Sequence, residues 1–147
     1  MLSMKAKYAL RALMVLARHD RRMLQIKAIA KEADVPQKFL ETILLEMKNQ
    51  NIVDSKRGIF GGYFLNKSAE TVMIGNLIRA IDGPLAPIRC ASVSHYRKCE
   101  DCTDEATCEI RKLMREVRDA ISNVLDKTSL ADMLKKTPQE LGMPLGL

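Results

Sequence analysis

Tryptophan is absent from this 147-residue chain, and three tyrosines and three phenylalanines are its only aromatics. So few rings argue against an aromatic-lined sugar site or a stacking platform for single strands. No run approaches the roughly 18 consecutive apolar residues of a membrane span. Lys5, Lys7 and Arg11 interrupt any apolar leader core, and no small-residue cleavage site follows, so a cytosolic protein is expected. Histidine occurs twice, as His19 and His95. There is no pairing of nucleophile and base, no paired acids and no phosphate loop, and Gly61-Gly62 lacks the surroundings of a dinucleotide site. The chain is not expected to be an enzyme. Cysteine is missing everywhere except between positions 90 and 108, where all four fall.

What is present is an apolar fraction of 47%, enough for one modest core or a small domain with an appendage, and an uneven charge. The net charge is +6, and the first 67 residues carry the whole excess. A basic half suggests a polyanion, nucleic acid before membrane, although a solvated surface has the same composition.

The apolar period predicts a helix over Ser3 to Arg18, with Ser3 as cap and Tyr8, Ala9, Ala12, Leu13, Leu16 and Ala17 on one face. A polar turn, His19 to Arg22, leads to a second helix, Gln25 to Ala33. Asp34-Val35-Pro36 breaks it, and a third runs from Pro36 to Asn49 with Phe39, Leu40, Ile43, Leu44 and Met47 as its stripe. The period then changes. Ile52-Val53 and Tyr63-Phe64-Leu65 read as short strands around a Gly-rich turn carrying Lys56 and Arg57. Helix, turn, helix and basic hairpin is the winged helix-turn-helix order, which sets the third helix in a major groove. Gln37, Lys38, Glu41 and Thr42 lie on the part of that helix that meets base edges. Lys38 suits a guanine or a phosphate, and Glu41 a cytosine amine. Pairing of Glu41 with a neighbouring lysine is the plain alternative. Arg57, with Lys56 before it and Gly58, Gly61 and Gly62 after it, suits a narrow minor groove. An ordinary exposed charge is the alternative there.

Val72 to Ile81 reads as a fourth helix ended by Asp82-Gly83-Pro84, and residues 91–106 as a polar loop. From Thr107 to Lys127, Ile110, Met114, Val117, Ile121 and Val124 recur at 4, 3, 4, 3, a coiled-coil seam whose face can pack on the chain's own core or on a second copy. A homodimer is expected, because a helix-turn-helix implies two half-sites. A short helix is expected over Ser129 to Lys135, and a loose tail from Thr137. The expected organisation is therefore mostly helical: a winged helix-turn-helix over 1–84, a cofactor loop over 85–107, a dimerisation helix over 108–128, and a short helix with tail over 129–147.

Clustered thiols in a chain without disulfide context point to metal or redox chemistry. The set is Cys90-x8-Cys99-x2-Cys102-x5-Cys108. It suits a closed zinc site or an iron–sulfur cluster, and spacing alone does not choose between them. His95 lies in the same loop.

These pieces together resemble the Rrf2-type winged-helix regulators, with their IscR, NsrR, RirA and CymR branches. The resemblance is carried by Lys5-x2-Tyr8-Ala9-Leu10-Arg11-Ala12, by Ile29-Ala30 before Val35, and by Phe39-Leu40-Glu41. It continues through the wing Arg57-Gly58-x2-Gly61-Gly62-Tyr63, Ile74-Gly75 to Ile78, and Thr128-x-Leu130-x-Asp132, so it covers about residues 3–133. It implies a homodimeric bacterial transcription factor with the cysteine loop near the partner's DNA-binding domain. In the cysteine-bearing branches it implies a [2Fe–2S] or [4Fe–4S] cluster that senses redox state, iron, nitric oxide or cluster status. The family pattern has three cysteines, the last two five residues apart, which makes Cys90, Cys102 and Cys108 the primary ligands. The fourth ligands familiar in the family, a histidine three residues after the last cysteine or an N-terminal aspartate, are replaced by Arg111 and Tyr8. Cys99, extra to the pattern, is then the candidate fourth ligand. The expected function is promoter binding controlled by the cluster. A zinc-stabilised or thiol-oxidation sensor is the alternative within the class, and a small electron-transfer protein the alternative outside it.

Overall fold

The computed structural model describes residues 2–20 and 22–136. The order is α1 (Met4–Arg18), α2 (Ile26–Ala33), α3 (Gln37–Asn49), β1 (Val53–Lys56), β2 (Gly62–Leu65), α4 (Ile74–Asp82), a short 3-10 turn (Arg89–Ala91), α5 (Glu109–Leu125) and α6 (Leu130–Lys135). The expected tail from Thr137, and Arg21 of the first turn, lie outside the described residues. The packing forms two compact units. Among the described residues, one holds Ser3–Val72 and Ser129–Lys136, the other Met73–Thr128 with Leu2. The expected segment 1–84 is thus divided: α4 belongs with α5, and α6 with the helix-turn-helix.

In the first unit the local chemistry explains each boundary. Ser3 caps α1, its hydroxyl accepting from Ala6 N at 3.0 Å. Asp34 ends α2 in the left-handed region at φ 53°, a conformation its short polar side chain tolerates. Val35 N–H then returns to Ala30 O at 3.0 Å, and the Val35 side chain buries, which closes the helix end. Pro36 stands at the N-cap of α3, just ahead of the helix, where its fixed φ is an asset. The wing pairs Val53 with Leu65 and Lys56 with Gly62 in antiparallel register. Ser129 and Asp132 form a reciprocal capping box that starts α6. Leu130 N–H donates to Val72 O at 2.8 Å, and its side chain is fully buried.

The core of this unit is built on α1, which packs against α2, α3, α6 and β2. Being covered on several sides, α1 buries more than one stripe. Ala6 and Val15 are buried alongside Ala9, Ala12, Leu13 and Leu16, whereas Tyr8 and Ala17 are only half-buried. On α3, Leu40, Ile43, Leu44 and Met47 are buried as expected, but Phe39 is not: it is 57% exposed. At about 100° per residue Phe39 sits about a quarter turn from the centre of that stripe.

In the second unit, α4 starts at Ile74, two residues later than the apolar pattern suggested. The Arg79 guanidinium grips Asp126 at the end of α5 with two bonds, 2.6 and 2.9 Å, and also reaches the Ser122 hydroxyl. A Cβ on Gly75 would lie 1.9 Å from the Asp126 carboxylate, so the glycine leaves room for this clamp. Arg118 donates to Ala91 O and Arg111 to Cys90 O, tying the 3-10 turn to α5. α5 itself buries no residue. Of its seam, Met114, Val117 and Ile121 are half-buried, and Ile110 and Val124 are exposed at 67% and 61%.

Candidate DNA-reading face and cysteine loop

The first unit carries the candidate contact residues of α3 and the wing. Lys38, Glu41 and Thr42 stand exposed on the first two turns of α3, with Gln37 half-buried beside them. Glu41 is paired with no lysine among the described residues. Its nearest partner is the Gln37 amide at 3.5 Å, so its carboxylate stays available to a donor from outside. The helix is held from behind and below. Lys5 on α1 bridges Glu46 at 2.6 Å, and Lys48 donates to Ser55 at 2.8 Å while facing Asp54 at 3.5 Å. These contacts tie α3 to both α1 and the wing. Phe39 projects from the first turn with its ring 6.2 Å from that of Tyr8.

The wing has more support than its two strands. Leu24 pairs with Tyr63 through two backbone bonds, 2.9 and 2.8 Å, adding a third short segment to the hairpin. The Leu24 carbonyl would lie 2.5 Å from a Cβ on Gly62, so only glycine permits this approach. Lys56, Arg57 and Gly58 are exposed, Gly61 and Gly62 half-buried. Among the described residues neither Lys56 nor Arg57 has an ion-pair partner. The Leu24–Tyr63 bridge was not legible beforehand, because one residue pair makes no periodic signal.

In the second unit the four cysteines occupy different settings, all as free thiols. Cys90 is buried in the 3-10 turn, and Cys99 is exposed. Cys102 is half-buried, its N–H turning back to Cys99 O at 3.3 Å. Cys108 is the N-cap of α5, its sulfur accepting from Arg111 N at 3.4 Å. The close approach is between Cys90 and the extra cysteine, Cys99, with sulfurs 3.7 Å apart. A disulfide needs about 2.05 Å. Two thiolates held at about 2.3 Å by one tetrahedral ion stand about 3.8 Å apart. The pair therefore has the spacing of two ligands of a common metal, and also of a thiol–thiol hydrogen bond. The Cys90 sulfur, aided by desolvation, raises the Cys99 thiol above its usual pKa.

Among the described residues no three histidine, cysteine, aspartate or glutamate side chains converge to hold a metal ion. The four thiols have the donor chemistry of a thiolate-held cofactor, but they are not gathered into one site. The geometry supplies one ligand pair, and Cys102 and Cys108 are not gathered with it. His95 faces the Ser94 hydroxyl at 2.9 Å. His19 is less idle than a plain turn residue, for its ring meets Glu32 at 2.9 Å. Arg111 is the residue that organises the loop. Its backbone N–H meets Cys108, its Nε donates to Cys90 O at 2.9 Å, and its guanidinium lies 5.9 Å from the Tyr96 ring centre. The Tyr96 hydroxyl in turn donates to Glu105, which raises the phenol above its ordinary pKa.

A helix-turn-helix with an adjoining hairpin defines the class of winged-helix regulators. The family model for Rrf2, an iron-dependent transcriptional regulator, matches residues 2–136, and the chain belongs to that family. An rrf2-like HTH-type transcriptional regulator of Rhodobacter capsulatus is 46% identical over 138 residues, covering 91% of this chain and 92% of its own. The structure of CymR, the global cysteine regulator of Bacillus subtilis, superposes with a TM-score of 0.76 at 30% identity, over 93% of this chain and 98% of that one. The structure of IscR from T. potens gives 0.74 at 25% identity, over 99% and 93%. These relatives are regulators and not enzymes. No helix among the described residues is long and apolar enough to cross a membrane.

Proposed function

We propose that this transcriptional regulator binds promoter DNA as a homodimer through α3 and the wing, and that an iron–sulfur cluster in the cysteine loop controls that binding. The observation that carries the cluster is the thiol set itself: four cysteines within one short loop and none elsewhere, two of them at ligand spacing. Cys90, Cys102 and Cys108 would hold the cluster, with Cys99 as fourth ligand in place of the histidine that Arg111 displaces. When bound, the cluster supplies a redox-active inorganic core. The chain's part is to order the loop. From Val93 to Asp101 every residue is exposed, so folding the loop around a cofactor turns binding energy into folding energy. Arg111 links Cys90 to the start of α5, so a change of loop order reaches the long helix through a side chain already in contact with both.

The dimer is supported by α5. A helix of 17 residues that buries none, yet displays Ile110, Leu113 and Val124, has an apolar face suited to a second copy. The DNA-reading assignment is supported by Lys38, Glu41, Thr42, Lys56 and Arg57, all exposed on one unit. Zinc held by the same thiols is the second reading, favoured by the 3.7 Å pair.

The test is anaerobic purification, with an absorption spectrum and iron, sulfide and zinc assays on one sample. The expected result is a coloured protein with iron and acid-labile sulfide. Cys102→Ala should remove both, and Cys99→Ala should lower the iron content while leaving the DNA-binding unit folded. A colourless protein with stoichiometric zinc overturns the cluster in favour of a zinc–thiolate site. Full iron retention in Cys99→Ala excludes Cys99 as a ligand.

A further inference from the structure

Among the described residues, the two most exposed large apolar side chains stand side by side at the wing tip: Ile59 at 86% and Phe60 at 90%. Gly61 N–H donates to Gly58 O at 3.0 Å, closing a tight turn with Ile59 and Phe60 as its two central residues. Such positions ordinarily carry glycine, proline, asparagine, aspartate or serine, each for a conformational reason that neither isoleucine nor phenylalanine offers. The turn conformation is supplied instead by the flanking glycines. Gly58 takes φ +111°, and a Cβ on Gly61 would fall 2.1 Å from the Lys56 carbonyl. The apolar pair is therefore not needed to make the turn.

The tip is also held rigid from behind. The Gln25 amide donates to Ile59 O at 3.3 Å, and the Leu24–Tyr63 pair braces the adjoining strand. Lys56 and Arg57 precede the tip, exposed and without ion-pair partners among the described residues. An apolar point on a narrow braced hairpin with two cations at its base matches one occupant by charge and shape. That occupant is the minor groove of duplex DNA, about 6 Å wide, where apolar wedges such as phenylalanine and isoleucine unstack a base step and nearby cations meet the backbone. A lipid surface asks for the broad apolar face of an amphipathic helix, which a two-residue tip does not provide.

We propose that Ile59 and Phe60 form a wedge that enters the minor groove, partly unstacks one base step, and makes the regulator select flexible pyrimidine–purine steps there. The inference rests on the DNA-reading wing proposed above. Lys56 and Arg57, on the arm leading into the tip, hold that side of the hairpin against the phosphates, and the wedge reads deformability without a hydrogen bond to any base.

The experiment starts by enriching a binding site from a random duplex pool with the full-length chain. The enriched duplex is then made in two forms, with a TA step or a stiff A-tract under the wing, and labelled at both ends to report bending by energy transfer. Wild type should bend the TA form and prefer it by about tenfold. Ile59→Ser/Phe60→Ser should lose both the bend and the preference, at an unchanged melting temperature because both side chains are exposed. Arg57→Ala should weaken binding to both forms alike and keep the preference. Loss of affinity in Arg57→Ala with bend and preference intact in the double serine variant overturns the wedge and leaves the wing standing. If no site is enriched, the DNA-reading assignment fails, and the wedge with it.

Discussion

The two units differ in how much of their apolar surface they cover by themselves. The helix-turn-helix unit seals Leu13, Leu16, Ile29, Leu40, Leu44 and Leu130 almost completely from solvent, and Ser3 and Ser129 cap the starts of α1 and α6. The unit of α4 and α5 buries Ile74, Leu77 and Ile78, but its longest helix buries nothing and its cysteine loop is exposed along most of its length. The first is closed and needs only a surface partner. The second leaves an apolar face and a set of soft donors open, which is how a chain looks where a partner and a cofactor supply the remaining stability. The contrast separates a unit closed on its own core from one that leaves apolar surface and thiols open.

The largest effect should come from the closed unit. Leu44→Ala removes a fully buried side chain from α3 and should cost about 2–5 kcal/mol, seen as a lower denaturation midpoint. A cost under about 1 kcal/mol would show that this core is looser than its burial implies. On the open unit, Ile110→Asp changes an exposed residue. It should leave helical content intact while weakening self-association by about 2–4 kcal/mol, measured by sedimentation across a concentration series. Unchanged association would place the dimer contact elsewhere. Arg57→Ala should weaken specific DNA binding by about 1–3 kcal/mol at fixed salt without altering the melting temperature. Equal affinity would remove the wing from the reading face.

The smallest effect should come from the clamp between α4 and α5. The hydrogen bonds from Arg79 hold the Asp126 carboxyl below the usual carboxylate pKa, and the positive charge adds to them. A depressed folded pKa stabilises the protein above the unfolded value near 4 and ceases to do so as pH falls through the folded one. The side chains are partly exposed, at 34% and 42%, so solvent screens the pair. Asp126→Asn should cost about 0.5–1 kcal/mol at pH 7 and flatten part of the stability loss below about pH 4. An unchanged acid profile would mean that the clamp contributes nothing.

Most elements were legible because their signals are local. Ser3, Pro36 and Ser129 mark helix starts by chemistry that acts over three residues, and the change from helical to alternating period announces the hairpin. The exposure of Lys38, Glu41, Thr42 and Arg57 followed from the same patterns, since they lie off the apolar stripes. The misses were of another kind. Phe39 counts as apolar in any periodic scheme, yet it faces out because α1 and α2 already cover the stripe a quarter turn away. Ile59 and Phe60 stand in the variable pair of the wing motif, where a pattern of glycines draws attention to everything except the residues between them.

The cysteine loop shows the boundary most clearly. Composition and spacing establish that the chain carries four thiols, a basic helix-turn-helix with a wing, and an amphipathic long helix, because each depends only on residue type and interval. That the extra cysteine, Cys99, approaches Cys90, that Arg111 joins the loop to α5, and that Leu24 braces the wing depend on backbone paths between distant residues. No interval along the chain encodes those distances, and only the packed structure decided them.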